Sequence, residues 1–402
     1  LDAVIISTAI KETNPELIKA RKLGLKIYHR SDLLKEIAES AQKEGKCFIG
    51  FAGTHGKTTT SGMASFVLEK AGLEPAFVVG GIVPEISTNA QHKGGKFFTA
   101  ELDESDGTLV KYHPDILVIN NLEEDHIDFY KNGIEDIIKV FNQSIKQSKK
   151  IIINSDDIGA NKLQGEFITF GLKNADYTAE NIQTSQNGTL FDIFYKNEYL
   201  TTIFIQLTGV HNIYNTLAVI SALNEAGLTV DCKKHFFAEF TGMGRRFQKV
   251  CEFNNIQVYD DYAHHPTEIK AVLEGASTKF GKENIIAVFQ PHRYTRLKNL
   301  WDDFKTSFSK VLISSVFSKI YNIVYCLHTN KLLLLDSNLH IITANYQICN
   351  FSSVIKCLKI CLLLVDRHRG KSFDDRVAVK RFTGSRSVYI PGRPHTFTIK
   401  QG

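Results

Sequence analysis

Apolar and polar positions alternate along this chain in two rhythms that take turns. Ala3–Ile6 is a short apolar run. Pro15 to Leu23 then repeats apolar positions at helical spacing, with Asn14 placed as its cap and Pro15 at its first position. Leu25–Tyr28 reads as a second strand, and Ser31 as the cap of a helix running through Gln42. Further strand-like segments are Phe48–Ala52, Phe97–Leu102, Ile116–Asn120 and Ile151–Asn154. A more polar alternation over about Phe167–Leu207 predicts an antiparallel edge or a small sheet, and Asn212–Ala226 predicts an amphipathic helix. Gln257–Asp260 and Ile285–Gln290 read as strands of a further unit, with a helix between them from about Thr267. Strands separated by helices imply an α/β fold with parallel strands and crossover helices.

The rhythm breaks twice. A Gly-rich junction at Thr241–Phe247 marks a boundary between units. After about Ser314 the alternation stops: residues 320–365 hold four of the seven Cys and no Gly, and turn and cap signals become sparse. The expected organisation is 1–45, 46–241, 242–314, and an atypical tail over 315–402, frameshifted or poorly ordered.

Charge changes the picture only once it is divided along the chain. The net charge is +5, yet residues 315–402 hold 13 Lys and Arg against 4 Asp, with no Glu. Residues 1–314 therefore carry 35 basic against 39 acidic side chains, a net of −4, so nucleic acid is not expected as a partner. No apolar run is long enough to span a bilayer, so no membrane insertion is expected. Seven irregularly spaced Cys and no leader-like N-terminal pattern suggest free thiols and a cytoplasmic protein.

The densest chemistry follows the third predicted strand. Gly53-Thr54-His55-Gly56-Lys57-Thr58-Thr59-Thr60 is a Gly-rich turn between a strand and a helix-compatible stretch. Such a turn aims backbone N–H groups and a helix dipole at a phosphate, while Lys57 reaches its oxygens and Thr58 binds Mg²⁺. The loop is shorter than the Walker pattern, which would need Gly at the position of Phe51.

Further blocks sit at later strand ends, where open α/β sheets bind ligands. Glu101-Leu102-Asp103-Glu104-Ser105-Asp106 and Glu123-Glu124-Asp125-His126-Ile127-Asp128 are acidic clusters, in which Glu101 and His126 are candidate metal ligands. Gly209-Val-His-Asn-Ile-Tyr-Asn215 opens a helix whose side-chain amides could read adenine, or in which Asn is a plain cap. Arg245-Arg246 could clamp a transferring phosphoryl group. Asp260-Asp261-Tyr262-Ala263-His264-His265-Pro266-Thr267-Glu268 is a dense polar block. Zinc is its obvious rival reading, but adjacent His lack the usual i, i+4 spacing. Arg293 and Arg296, at i, i+3 after Phe289-Gln290-Pro291-His292, could grip a carboxylate.

Taken in order over residues 1–313, these blocks resemble the Mur ligase family, in its alanine-adding branch. The resemblance implies three domains: a partial N-terminal Rossmann-like domain, a central P-loop ATPase domain and a partial C-terminal Rossmann-like domain. It implies an ATP- and Mg²⁺-dependent ligase (Mn²⁺ as substitute) that joins L-alanine to UDP-N-acetylmuramate through an acyl phosphate, in peptidoglycan precursor synthesis. Lys57, Glu101, His126, Arg246 and His264 would be catalytic. Thr58, Glu101 and His126 would hold metal. Gly53, Thr54, His55, Gly56, Lys57, Thr58, Thr59, His211, Asn212 and Asn215 would bind ATP. Tyr262, His264, Arg293 and Arg296 would bind substrate. Two alternatives stay open at this point: a non-catalytic nucleotide-binding remnant, and another Mur-type amide ligase such as a murein-peptide ligase. The chain opens near the last strands of the family's first domain, and nothing after Ser314 matches the family's C-terminal blocks.

Overall fold

A computed structural model describes residues 2–253, 256–289, 291, 294–311, 313–318, 323–326, 331–334 and 360–365. In the N-terminal unit, β1 (Ala3–Ile6) pairs in parallel with β2 (Lys26–His29), joined through α1 (Pro15–Lys22). Asn14 Oδ1 accepts the N–H groups of Glu16 and Leu17 at 2.9 and 3.1 Å, as its side chain and Pro15 predict. Helix α2 (Arg30–Lys43) begins earlier than a Ser31 cap would allow. Its cap is His29, because His29 Nδ1 accepts the Ser31 N–H while Asp32 accepts the His29 N–H in return.

The central unit is built on ten strands: β3 (Cys47–Ala52), β4 (Ala76–Val83), β5 (Thr88–Gln91), β6 (Phe97–Glu101), β7 (Ile116–Ile119), β8 (Lys150–Asn154), β9 (Ile168–Gly171), β10 (Tyr177–Ser185), β11 (Gly188–Tyr195) and β12 (Glu198–Ile205). Their order is β12-β11-β10-β9-β8-β7-β3-β6-β4-β5. The pairings from β10 across to β4 are parallel, and β5 at one edge and β11–β12 at the other are antiparallel. The alternating stretch thus forms the expected antiparallel edge, fused to the main sheet.

Alternate residues of the central strands feed two cores. Ile49, Phe51, Ile116 and Val118 pack with α3 (Lys57–Lys70) and α5 (Val210–Glu225). Phe48, Ala52, Leu117 and Ile119 pack with α2 and α4 (Ile134–Lys146) on the other face. Helix α5 is not the amphipathic helix its sequence suggested. It is buried without a break from Asn215 to Leu223, because it lies against both the sheet and α3. The short α6 (Lys234–Glu239) covers the edge strand β12.

Residues 241–247 then lead out of the central unit. Met243 is buried against α3 at Gly62, where an added Cβ would lie 2.1 Å from its sulfur. The third unit contains β13 (Gln248–Phe253), β14 (Ile256–Asp261), α7 (Pro266–Phe280), β15 (Ile285–Phe289), α8 (Tyr294–Asn299) and α9 (Trp301–Ser307). Strands β16 (Ile313–Ser318), β17 (Ile323–Cys326), β18 (Lys331–Leu334) and β19 (Ile360–Val365) complete a sheet of order β13-β14-β19-β15-β16-β17-β18. β19 pairs antiparallel with both β14 and β15, so parts of the stretch expected to be an irregular tail supply strands to this sheet.

Candidate active site

The strand order reverses at β3, whose neighbours are β7 and β6, so the carboxyl ends of these three strands converge on one crevice. The turn from β3 to α3 occupies it. Gly53 (φ +126°) and Gly56 (φ +84°) adopt conformations that side chains rarely reach, and Cβ atoms there would meet Asn121 O at 2.9 Å and Asn215 Oδ1 at 2.6 Å. The segment after β7 holds the turn from behind. Asn121 O accepts the Thr54 N–H at 3.1 Å and Asn121 Oδ1 the His55 N–H at 2.8 Å. The Thr54 hydroxyl accepts the Glu123 N–H at 2.9 Å.

Lys57 is folded back over this turn. Its Nζ donates to Gly53 O (2.5 Å) and Thr54 O (3.1 Å) and pairs with Glu104 Oε2 at 2.8 Å. Burial opposes the Lys57 charge, but Glu104, Asp103 and Glu101 keep it protonated. Burial pushes the Glu104 carboxyl up to about 7, with Lys57 opposing. Glu104 Oε1 is buried without a hydrogen bond, 3.9 Å from His126 Nε2. Asp103 is held down at about 2: burial works the other way, but Lys57, the Ser105 N–H and Arg30 outweigh it. Thr8 and His29 of the N-terminal unit contact Asp106 at 2.8 and 3.6 Å.

The geometry therefore brings Glu104 to Lys57 and His126, a residue the sequence reading passed over in favour of Glu101. Glu101 instead accepts the Gly80 N–H of β4 at 2.8 Å. Methyl Cγ2 of Thr58 faces Gly81 on the same strand. Glu101 and Glu104 share one acidic cluster and one residue class, so only the turn after β6 distinguishes them.

Above the turn lies a cavity of about 670 Å³ bordered by all three regions of chemistry. His55, Gly56 and Thr59 form one wall, His211, Asn212 and Asn215 another, and Arg246, Asp261 and Glu268 of the third unit a third. Desolvation of the half-buried His211 pushes its imidazole down to about 4 and keeps it neutral. Asn215 Nδ2 donates to Asn212 Oδ1 at 3.2 Å, and Asn212 Nδ2 to Thr208 O at 2.8 Å. Arg246 lies 3.8 Å from Glu268 and 5.5 Å from the Tyr262 ring.

The third unit closes on the turn through charged side chains. His55 Nδ1 lies 3.2 Å from Glu268 Oε1 and His55 Nε2 lies 3.4 Å from Glu123 Oε2. Burial opposes protonation of His55, but the bonds to Glu123 and Glu268 raise it to about 9. The Thr267 hydroxyl donates to Glu123 at 2.7 Å. His264 Nδ1 sits 2.9 Å from Tyr262 O and 3.2 Å from Glu268 Oε2. Arg296, expected to grip a substrate carboxylate, is instead engaged by Asp125 of the central unit, at 2.9 and 3.0 Å from Nη2. That pair is buried, and an acid from another unit meets the guanidinium in the same bidentate way. Arg293 lies outside the described residues.

Residues 51–223 match the Mur ligase middle domain, and residues 245–318 match the Mur ligase glutamate ligase domain. The chain is 38% identical over 317 residues to a UDP-N-acetylmuramate–L-alanine ligase of Hydrogenobaculum sp. (strain Y04AAS1), covering 77% of this chain and 69% of that one. It is 39% identical over 330 residues to the same-named ligase of Pelotomaculum thermopropionicum, covering 79% and 70%. The crystal structure of UDP-N-acetylmuramate-alanine ligase from Thermotoga maritima superposes with a TM-score of 0.70 at 28% identity, covering 79% of this chain and 71% of that one.

Proposed function

This chain belongs to the Mur ligase family, and on that premise we propose that it joins L-alanine to UDP-N-acetylmuramate, driven by ATP, in peptidoglycan precursor synthesis. It is an ATP-dependent acid–amino-acid ligase. The observation that carries the reading is the phosphate turn with Lys57 and Glu104, opening into a cavity whose far wall is Arg246 of the third unit.

The reaction runs in two steps. The muramate carboxylate oxygen attacks the γ-phosphorus, the bond to the β-phosphate oxygen breaks, and ADP leaves an acyl phosphate. The alanine amine, having lost a proton, attacks the acyl carbon, its nitrogen gives up a second proton to solvent, and the tetrahedral intermediate expels phosphate to leave the amide. Lys57 moves from the turn's own carbonyls to the transferring phosphoryl oxygens, where its charge stabilises the equatorial oxygens. The N–H groups of the turn and the N-terminus of α3 hold the remaining phosphate oxygens. His211, Asn212 and Asn215 border the adenine end, and Thr54 and Thr59 the phosphates. Arg246 approaches from the third unit and bridges phosphate. Tyr262 and His264 orient the muramyl carboxylate and the alanine, with Arg293, while Arg296 holds Asp125 and ties the third unit to the central one. Closure of the third unit excludes water from the acyl phosphate.

The donor set at the strand ends fits Mg²⁺: Thr58, Glu101 and His126, together with Glu104, whose buried Oε1 lacks a hydrogen bond. The ion, when bound there, neutralises phosphate charge. No helix among the described residues is long and apolar enough to cross a membrane. Use of ATP and of a nucleotide-linked substrate supports a cytoplasmic site of action.

Phosphate release measured with ATP and Mg²⁺ tests the reading. It is expected only when UDP-N-acetylmuramate and L-alanine are both present. ATP binding with no such release would reduce the chain to a nucleotide-binding remnant. Release with the free tripeptide L-alanyl-γ-D-glutamyl-meso-diaminopimelate in place of alanine would favour a murein-peptide ligase.

A further inference from the structure

Adjacent His264 and His265 lack the spacing of a zinc motif, but the fold supplies His265 with partners from two distant segments. His55 Nε2 lies 3.4 Å from Glu123 Oε2, and His265 Nδ1 lies 3.7 Å from the same oxygen. Ligand atoms of the three residues all fall within 4.8 Å of one another. Bonds of about 2.1 Å in a tetrahedral zinc site put neighbouring ligand atoms roughly 3.4 Å apart, close to the spacing of these donors.

Each imidazole is prepared for such a role. His265 Nδ1 accepts the Thr267 N–H at 3.4 Å, so that nitrogen is unprotonated, and an ion bound there takes the place of this long N–H contact. The His265 side chain is only 6% exposed, and its Nε2 has no hydrogen bond. His55 turns Nδ1 to Glu268 and its buried Nε2 to Glu123, 3.4 Å away. A carboxylate behind one imidazole nitrogen fixes the tautomer and raises the basicity of the other, as in carboxylate–histidine–zinc arrangements.

We propose that His55, Glu123 and His265 form a binding site for a divalent transition-metal ion of the zinc type, separate from the Mg²⁺ ligands named above. The site does not depend on the reaction assigned to the chain. Two imidazoles and one carboxylate favour zinc over magnesium, which prefers oxygen donors. The three ligands come from the phosphate turn, the segment after β7 and the cap of α7. A metal ion there pins the third unit against the phosphate turn. The cavity borders His55 and Glu123, so a fourth ligand such as water has a route in. Binding displaces the His55 proton and weakens as pH falls.

Titration of the full chain with Co²⁺, free of nucleotide and Mg²⁺, tests the site. One equivalent is expected to give the intense visible bands of four-coordinate Co²⁺, removed by Zn²⁺. His265→Gln and Glu123→Gln should abolish the bands. Glu268→Gln, which alters the group behind His55, should weaken affinity about 10–100-fold. His126→Gln should leave the bands intact. The proposal is overturned by absence of the bands, by thiolate charge-transfer bands accompanying them, by their survival in both His265→Gln and Glu123→Gln, or by their loss in His126→Gln. Should circular dichroism show that His265→Gln is unfolded, Glu123→Gln decides.

Discussion

Replacing Asp125 by Asn should loosen the third unit from the central one by an amount the geometry sets. Asp125 and Arg296 meet at 2.9, 3.0 and 3.3 Å, with side chains 10% and 5% exposed. At ~3 Å and an effective dielectric of ~20, the attraction between unit charges is about 5 kcal/mol. Asn keeps the shape but removes the charge, which leaves a guanidinium buried and uncompensated. Breaking one side of such a pair costs about 3–5 kcal/mol. The protein carries one Trp, Trp301, in α9 of the third unit, just after the α8 helix that bears Arg296. Urea unfolding followed by Trp301 fluorescence should therefore shift by about 3–5 kcal/mol, while far-UV circular dichroism of the central unit shifts less. The double variant Asp125→Leu with Arg296→Met should recover most of the loss, because it leaves no buried charge behind. A Trp301 shift below ~1 kcal/mol in Asp125→Asn, the range of exposed pairs, would refute the reasoning.

Other expectations follow from the site and its supports. Lys57→Met should lower the rate of phosphate release by about 10²–10³-fold, measured under saturating substrates. Glu104→Gln should weaken Mg²⁺ dependence more than Glu101→Gln, read from Mg²⁺ titrations of the same rate. Gly62→Ala should destabilise by about 1–3 kcal/mol in denaturant unfolding, since its Cβ meets the Met243 sulfur, and Met243→Ala in the same chain should restore most of it. Asp261 gives a pH signature: burial raises its carboxyl from 3.8 to about 6, against Arg246 and the N–H groups of Ala263 and Phe247. A raised folded value means its contribution is full below pH ~3.8 and lost as pH rises through ~6, about 3 kcal/mol in all. The stability difference between wild type and Asp261→Asn should change over that window, and a constant difference would count against the buried charge.

Local chemistry made much of this structure legible. Asn14 and Pro15 announce α1 because a cap and a φ preference need only neighbouring residues. The turn at Gly53–Thr58 was readable because strand, glycines, lysine and hydroxyl occur in sequence order. What escaped depends on distance. The engagement of Arg296 by Asp125 joins residues from different units, and nothing near Arg296 announces it. The choice of Glu104 over Glu101 as partner of Lys57 is made by a turn whose path local propensity does not determine. Burial of α5 on nearly every side follows from α3 lying over it, a packing that its own periodicity cannot report.

The sheet order also bears on how the chain is made. β3, which delivers the phosphate turn, is the first strand of the central unit to be synthesised, yet it sits between β6 and β7. Its partners are complete only once Ile119 has emerged. At translation speeds of 5–20 residues per second, β3 waits for about 3–13 s before both of its edges can be paired. Its sequence, Cys-Phe-Ile-Gly-Phe-Ala, is apolar throughout and carries no charge to deter pairing with a neighbouring nascent chain. Ribosome stalling between Ala52 and Ile119 is therefore the stage at which this protein is most exposed to aggregation and most in need of a chaperone.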